Sequence, residues 1–401
     1  MGIKTLKSPT ILGWAFFAFF LALAPVLRAD ENPALPRISG YLQTWWTIYE
    51  EVNNGRRQDG TSDLAAQEAF GFSLARARVA LDQSFLENSL GYRFEVKFEE
   101  GVEPLEYYIY YKPRAFLNLY LGQMKIPSTY EVLQSDSQLD FISRTNISDK
   151  IADWSLSRTP ITFEASNLTG STRSRDLGLA LKGNFWEEKF QYFLMAGNGL
   201  GANQFISGSG GRKNKGFFIS NGPGRLFYGL RLEAKPLSFF STDPYLSSLT
   251  IGGHFSYNFH PNMLYNDEET VLDLNRKSYS GDLRVNLPYR LVFTGLYAGG
   301  RTDDYSQDTG TNYRYQGYEL KIMEKIFPEK LELGFRFDDY WYKLSNSNTA
   351  INQYKYTGGA NYYPFKLIKI QLDYVYKKTE DPYLKYQNGS LVYANFQVSW
   401  P

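Results

Sequence analysis

Along most of the chain, hydrophobic and polar residues alternate one by one. In "KLELGFRFDDYW", Leu331, Leu333, Phe335 and Phe337 alternate with Glu332, Gly334, Arg336 and Asp338. In "LIKIQLDYVYK", Ile368, Ile370, Leu372 and Tyr374 alternate with Lys369, Gln371 and Asp373. "RLFYGLRLEAK" sets Leu226, Tyr228, Leu230 and Leu232 against Arg225, Phe227, Gly229, Arg231 and Glu233. "YRFEVKF" separates Tyr92, Phe94, Val96 and Phe98 from Arg93, Glu95 and Lys97. A period of two belongs to strands whose faces meet different surroundings, and it recurs here in segments of about ten residues. No stretch carries a convincing amphipathic helix.

Two kinds of connection separate these strands, and they take turns. Short turns are expected near Ser84–Ser89, Lys112–Ala115, Asn184–Lys189, Lys235–Tyr245, Leu287–Arg290, Phe327–Lys330 and Tyr363–Lys366. Most contain proline, which cannot donate to a ladder and suits a turn. Longer polar connections lie between them, at Asn53–Glu68, Asn198–Gly224, Phe259–Lys277, Arg301–Asn312 and Leu344–Ile351. With both ends of the strand series on the short-turn side, the pattern predicts about sixteen antiparallel strands.

No linker divides the series, so a single unit is expected. A soluble sandwich of that size would more readily split into domains. Alternating strands with short turns on one side and long loops on the other match an outer-membrane barrel, in which lipid forces every backbone group to be paired and closure removes the edges. The expected fold is therefore all-β: one antiparallel transmembrane β-barrel at residues 30–401, in a bacterial outer membrane with lipid as its outer partner. In the last segment, "LVYANFQVSWP", Val392, Ala394, Phe396, Val398 and Trp400 share the apolar face. Trp400 stands where such barrels characteristically carry a terminal aromatic, although Pro401 follows it.

The first residues differ in kind. Lys4 and Lys7 precede the apolar run "ILGWAFFAFFLALAPVL", followed by "RAD". That order reads as a secretory signal peptide, residues 1–29, rather than a retained anchor. Composition then narrows the function. Aromatic residues make up 17% of the chain and Tyr alone contributes 32, an excess expected at the two membrane boundaries. The chain has no Cys and two His, His254 and His260, so thiolate chemistry is excluded and a metal site has few ligands. Forty-three basic residues against 42 acidic ones give no reason to expect nucleic acid as a partner. No Ser–His pair stands at a recognisable catalytic spacing. The chain is read as a non-enzyme without cofactor.

One connection breaks the spacing. Some fifty residues, 126–175, separate "AFLNLYLGQMK" from "DLGLALKG". A connection that long usually has a function. A barrel of this size has a water-filled lumen, and this third outer loop is expected to fold inward as a constriction. The alternative is an outward surface loop, and the matching alternative function is an adhesin whose loops bind host molecules. A conduit for hydrophobic compounds would need an apolar lumen, which the inward charges oppose.

The segment "LGQMKIPSTYEVLQSDSQLDFISRT", Leu121–Thr145, resembles the region after the fifth strand in the phosphate-selective porins O and P. That family carries Gly-Gln-aromatic-Lys-x-Pro and then Leu-Asp-Phe-Ile-x-Arg; here Met124 replaces the aromatic, and Ser143 stands where an acid is common. "SRDLGLALKG", "AGNGLG" and "LARARVALD" resemble its neighbouring elements. The resemblance implies a passive, water-filled, homotrimeric channel for small hydrophilic solutes, anions and phosphate foremost. Arginine forks suit phosphate oxygens, and rings of Arg or Lys bias a pore toward anions.

The alternation supplies candidate pore-lining, anion-binding residues: Arg76, Arg78, Arg93, Lys97, Lys182, Arg225, Arg231, Arg284 and Arg336, joined by Lys321 and Lys369. Lys125 and Arg144 flank or sit in the candidate constriction. The same rule sends Asp82, Glu95, Asp176, Glu233, Asp282, Glu319, Glu332, Asp338 and Asp373 inward. The loop adds Glu131, Asp136, Asp140, Asp149, Asp153 and Glu164 against Arg144, Lys150, Arg158, Arg173 and Arg175. A lumen so balanced suggests loop acids facing wall bases as much as an anion ladder, and for each Arg the alternative role is an internal ion pair that stiffens the wall.

Overall fold

The computed structural model describes residues 35–53, 67–99, 101–152, 174–198, 226–265, 270–304, 313–344, 350–380 and 387–400. Residues 1–29, expected to be a signal peptide, Arg225 and residues 153–173 lie outside the described residues. Sixteen antiparallel strands close into one barrel, each pairing with its neighbours in sequence and β1 with β16. The strands are β1 (Arg37–Asn53), β2 (Gln67–Phe85), β3 (Leu90–Lys97), β4 (Glu103–Arg114), β5 (Leu117–Lys125), β6 (Arg175–Phe185), β7 (Phe190–Gly197) and β8 (Phe227–Ala234). They continue as β9 (Thr250–Tyr265), β10 (Thr270–Leu287), β11 (Leu291–Asp304), β12 (Tyr313–Phe327), β13 (Leu331–Leu344), β14 (Ala350–Phe365), β15 (Ile368–Glu380) and β16 (Gln387–Trp400).

All seven short turns fall where the alternation breaks. Two of them lack proline and instead carry consecutive left-handed residues, Leu86–Asn88 and Trp186–Glu188. Ser89 steadies the first by donating to the Leu86 carbonyl at 2.7 Å. Strand lengths depart from the expected ten residues, since β9 and β10 run 16 and 18 residues and claim most of the polar stretch 259–277. Likewise β11 extends to Asp304. In sequence these stretches are interrupted by Pro261 and the acidic run Asp267, Glu268 and Glu269, so no clean alternation marks the strand ends although the ladder continues. The connection between β3 and β4 is also shorter than its expected class.

The faces separate as the pattern requires. Leu333, Phe335, Leu372 and Tyr374 are exposed on the outside, while Arg336, Asp338, Gln371 and Asp373 are buried on the inside. One irregularity re-aims the lumen. In β2 the register slips between Gln43↔Arg76 and Thr44↔Leu74, so Ala75 is an extra residue. This bulge turns both Ala75 and Arg76 inward. The aromatic excess is not confined to the outer boundaries: Tyr41, Trp45, Tyr315, Tyr340 and Tyr393 are buried on the inner face. In a wide lumen a Tyr or Trp can bury its ring while keeping a polar tip for the network.

Candidate functional site

The connection after β5 lies against the polar face of the wall. Two short helical turns shape it, α1 (Tyr130–Leu133) and α2 (Asn146–Ala152). Thr129 caps α1 by accepting from the Val132 amide at 3.4 Å. Between them lie a 3-10 turn (Asp136–Gln138) and a bent stretch with no helical ladder, so most carbonyls there are free to accept from elsewhere, and wall side chains reach them. Arg336 donates to Ser143 O at 2.7 Å, Lys355 to Arg144 O at 2.9 Å and Lys369 to Leu139 O at 2.5 Å. Asn361 donates to Asp140 O at 2.9 Å, and Gln397 on β16 to Ser137 O at 3.3 Å. In return the Ile142 amide donates to Asp373 at 2.7 Å.

Glycines let the segment come this close. A Cβ at Gly359 would sit 2.8 Å from the Phe141 ring, and one at Gly334 would sit 3.1 Å from it. Phe141 is 2% exposed, so its ring could not step aside freely.

Charge completes the attachment. Arg78 reaches Asp136 at 2.5 Å and Arg76 at 3.7 Å, and Arg144 pairs with the same carboxylate. Burial alone would raise the Asp136 carboxyl, but Arg144, Arg78 and Arg76 outweigh it and hold it well below the usual carboxylate range. Glu131 lies 3.6 Å from Arg336 and accepts from the Thr145 amide and hydroxyl. Asp140 meets Lys321 at 2.6 Å. Loop acids thus do face wall bases, but in direct contact rather than across open water.

The opposite side is built differently. Strands β2–β8, with loop residues Leu133, Ser135 and Gln138, line a chamber of about 600 Å³ that reaches the short-turn end. Arg78, Arg93, Lys125, Arg175, Lys182 and Arg231 line it, together with Glu95, Glu106, Glu188 and Glu233. Each arginine has a carboxylate. Arg93 contacts Glu95 at 2.6 Å and Asp82 at 2.8 Å, Arg175 contacts Glu106 at 3.0 Å, and Arg231 contacts Asp282 at 2.7 Å. Lys125 is held by the Leu133 and Gln134 carbonyls at 3.2 and 2.7 Å.

Of the residues singled out from sequence, Arg76, Arg78 and Arg144 therefore meet at one carboxylate. Arg93, Lys125, Lys182 and Arg231 share the chamber, and Arg336 is tied to the loop. Lys97 pairs with Glu103 at 3.2 Å on the flank of β3, and Arg284 with Glu233 at 2.5 Å on β10. The role of Asp136 as a hub was not legible, because spacing along a loop does not say which wall groups converge on it. Nor was a Ser–His contact: in register, His254 faces Ser280, with Nδ1 2.7 Å from Oγ. Both residues are buried. Among the described residues no cluster of three or more His, Asp or Glu could hold a metal.

No known protein family matches the chain, and no curated protein does either. Solved structures do match in fold. The outer-membrane-expressed OmpT of Vibrio cholerae superposes with a TM-score of 0.58 at 10% identity, covering 91% of this chain and 97% of that one. An anion-selective porin from Comamonas acidovorans gives 0.57 at 13% identity, with 91% and 99% covered. The outer-membrane channel DcaP of Acinetobacter baumannii gives 0.57 at 13% identity, with 93% and 99% covered. At such identities the likeness is one of fold.

Proposed function

We propose that this chain is an outer-membrane porin, a passive water-filled channel for small hydrophilic solutes. The observation that carries the reading is the inversion of the barrel. Its apolar residues face outward with no protein over them, and its charged residues face the interior, where the described part of the connection after β5 meets them. Lipid is the surrounding that makes such an outer face stable, and a closed barrel is the strand architecture that satisfies every backbone group within it. The fold likeness to porins and channels of outer membranes points the same way.

In this reading the connection 126–175 folds into the lumen as the constriction, its described part pressed to one side so that solutes pass on the other. The barrel is a homotrimer, as the sequence resemblance implies, and residues 1–29 direct export. The resemblance also implies a preference for anions, with phosphate foremost. The ion pairs of Arg76, Arg78, Arg93, Arg231 and Arg336 weigh toward a weak preference, because a guanidinium already paired with a carboxylate offers less to a passing anion. The test is single-channel recording of the detergent-folded protein in a KCl gradient with phosphate titrated in. A steady conductance with a modest anionic reversal potential is expected. Absence of any conductance from a folded barrel would overturn the channel and favour the adhesin.

A further inference from the structure

One wall of the chamber departs from the ion-paired pattern. Tyr120 on β5 lies 5.6 Å from Tyr108 and 6.1 Å from Tyr110, ring centre to ring centre, both on β4. Against these rings sit two lysines. Lys182 on β6 places its ammonium 4.1 Å from the Phe193 ring centre and 4.7 Å from that of Tyr120. Lys112 lies 4.0 Å from the Tyr110 centre and 6.0 Å from that of Tyr120. Among the described residues neither lysine has a carboxylate within ion-pair distance, whereas Arg93, Arg175 and Arg231 nearby each have one.

The arrangement has a chemical consequence. A ring face holds an ammonium from one side, and Lys182, which lines the chamber, keeps its remaining N–H donors for a solute there. The charge is not cancelled, so an anion is favoured there. Phosphate needs several donors to replace its hydration, and the arginine forks that supply them best are already occupied. Around Lys182 the neighbours are instead apolar: Phe193 and Met124 belong to one buried cluster, and Tyr120, Tyr108 and Leu133 pack against it. A flat apolar body can stack on that surface while its carboxylate meets the lysine. The chamber volume, about 600 Å³, lies within the roughly 300–1,000 Å³ typical of small-molecule sites.

We infer that the β4–β7 wall is a subsite for organic carboxylates with a flat apolar body, an aromatic monocarboxylate being the simplest. The inference rests on the porin reading and names the class of solute that its chamber favours. Its test compares benzoate, acetate and inorganic phosphate as blockers of single-channel current in the full-length, detergent-folded protein. Benzoate is expected to half-block at a concentration about tenfold below acetate, a difference of about 1.4 kcal/mol. Lys182→Gln should weaken benzoate block about tenfold, and Phe193→Leu should weaken benzoate but not acetate.

Equal block by benzoate and acetate would overturn the inference, since charge alone would then suffice; so would phosphate as the strongest blocker. If Lys182→Gln fails to assemble, Phe193→Leu and the three-ligand series on the wild type carry the test. A folded barrel that passes no current would defeat the porin reading. Titration calorimetry with benzoate would then decide the subsite alone: saturable heat supports it, and none overturns it.

Discussion

The two sides of the barrel interior share one alternation and put it to opposite uses. From β12 through β16 and on β2, the inward polar groups bind the segment 128–147: Lys321, Arg336, Lys355, Lys369, Gln397 and Arg78 each contact it. From β3 to β8 the inward charges mostly pair with one another and leave a chamber, and the segment touches that side mainly through its first residues, where Arg231 donates to Ser128 O at 3.2 Å. Counting charges would not separate the two sides, because both mix acids with bases. What separates them is the main partner: backbone carbonyls and loop acids on one side, neighbouring wall residues on the other, where Lys125 and Arg231 are the ones that also reach loop carbonyls.

The strongest way to break this asymmetry is to remove its hub. Asp136→Leu would leave Arg76, Arg78 and Arg144 buried without their shared counter-charge, a loss of about 3–5 kcal/mol. The segment should detach, read as faster proteolysis within 126–152 and a higher conductance. The outer face offers an independent check on which side of each strand meets lipid. Leu333→Arg should destabilise the barrel by about 2–4 kcal/mol if the site lies near the midplane, measured as a drop in the urea midpoint of folding into bilayers. Normal stability would reverse the face assignment. Gly359→Val should act more gently, because its side chain must displace Phe141; overpacking of this kind costs about 1–3 kcal/mol. A conductance rise smaller than that of Asp136→Leu is expected.

On the chamber side, by contrast, Asn184→Ala should change stability by less than about 0.5 kcal/mol, since no loop group depends on it. The smallest effect concerns acid. The Asp136 carboxyl is held low, so its contribution is fully present above the ordinary value of about 3.9 and is lost only as pH falls through the depressed folded value. In an Asp149→Asn variant, which removes a loop carboxyl that burial pushes up to about 7, conductance should therefore show no step of loop release between pH 7 and pH 4, and such a step would mean that the arginine knot does not hold the segment.

Much of the barrel was legible because lipid and water impose opposite demands on neighbouring residues. Leu333 and Arg336, or Leu372 and Asp373, could be sided from the alternation alone. Strand ends were not, since the sequence from Phe259 to Lys277 is broken by Pro261 and by the acidic run Asp267, Glu268 and Glu269 and shows no clean alternation. The bulge at Ala75 was also hidden, because "LARARVALD" reads as an unbroken alternation until the partner strand is known. For the candidate site, sequence could name the charges but not their pairing. Asp136 and Arg78 are 58 positions apart, and Lys112, Tyr120 and Lys182 come together only through cross-strand register. The inward aromatics were missed for a related reason. In the sequence a lumen tyrosine and a boundary tyrosine look alike, and only the neighbouring residues' burial tells them apart.

The central claim is that the segment after β5 narrows a water-filled lumen from one side. The direct measurement is the single-channel conductance of the wild type against a variant in which residues 129–151 are replaced by a short Gly-Ser linker. A clearly larger unitary conductance in the variant, with the barrel still folded, is the predicted result. An unchanged conductance from a folded variant would contradict it, placing the segment outside the path that ions take.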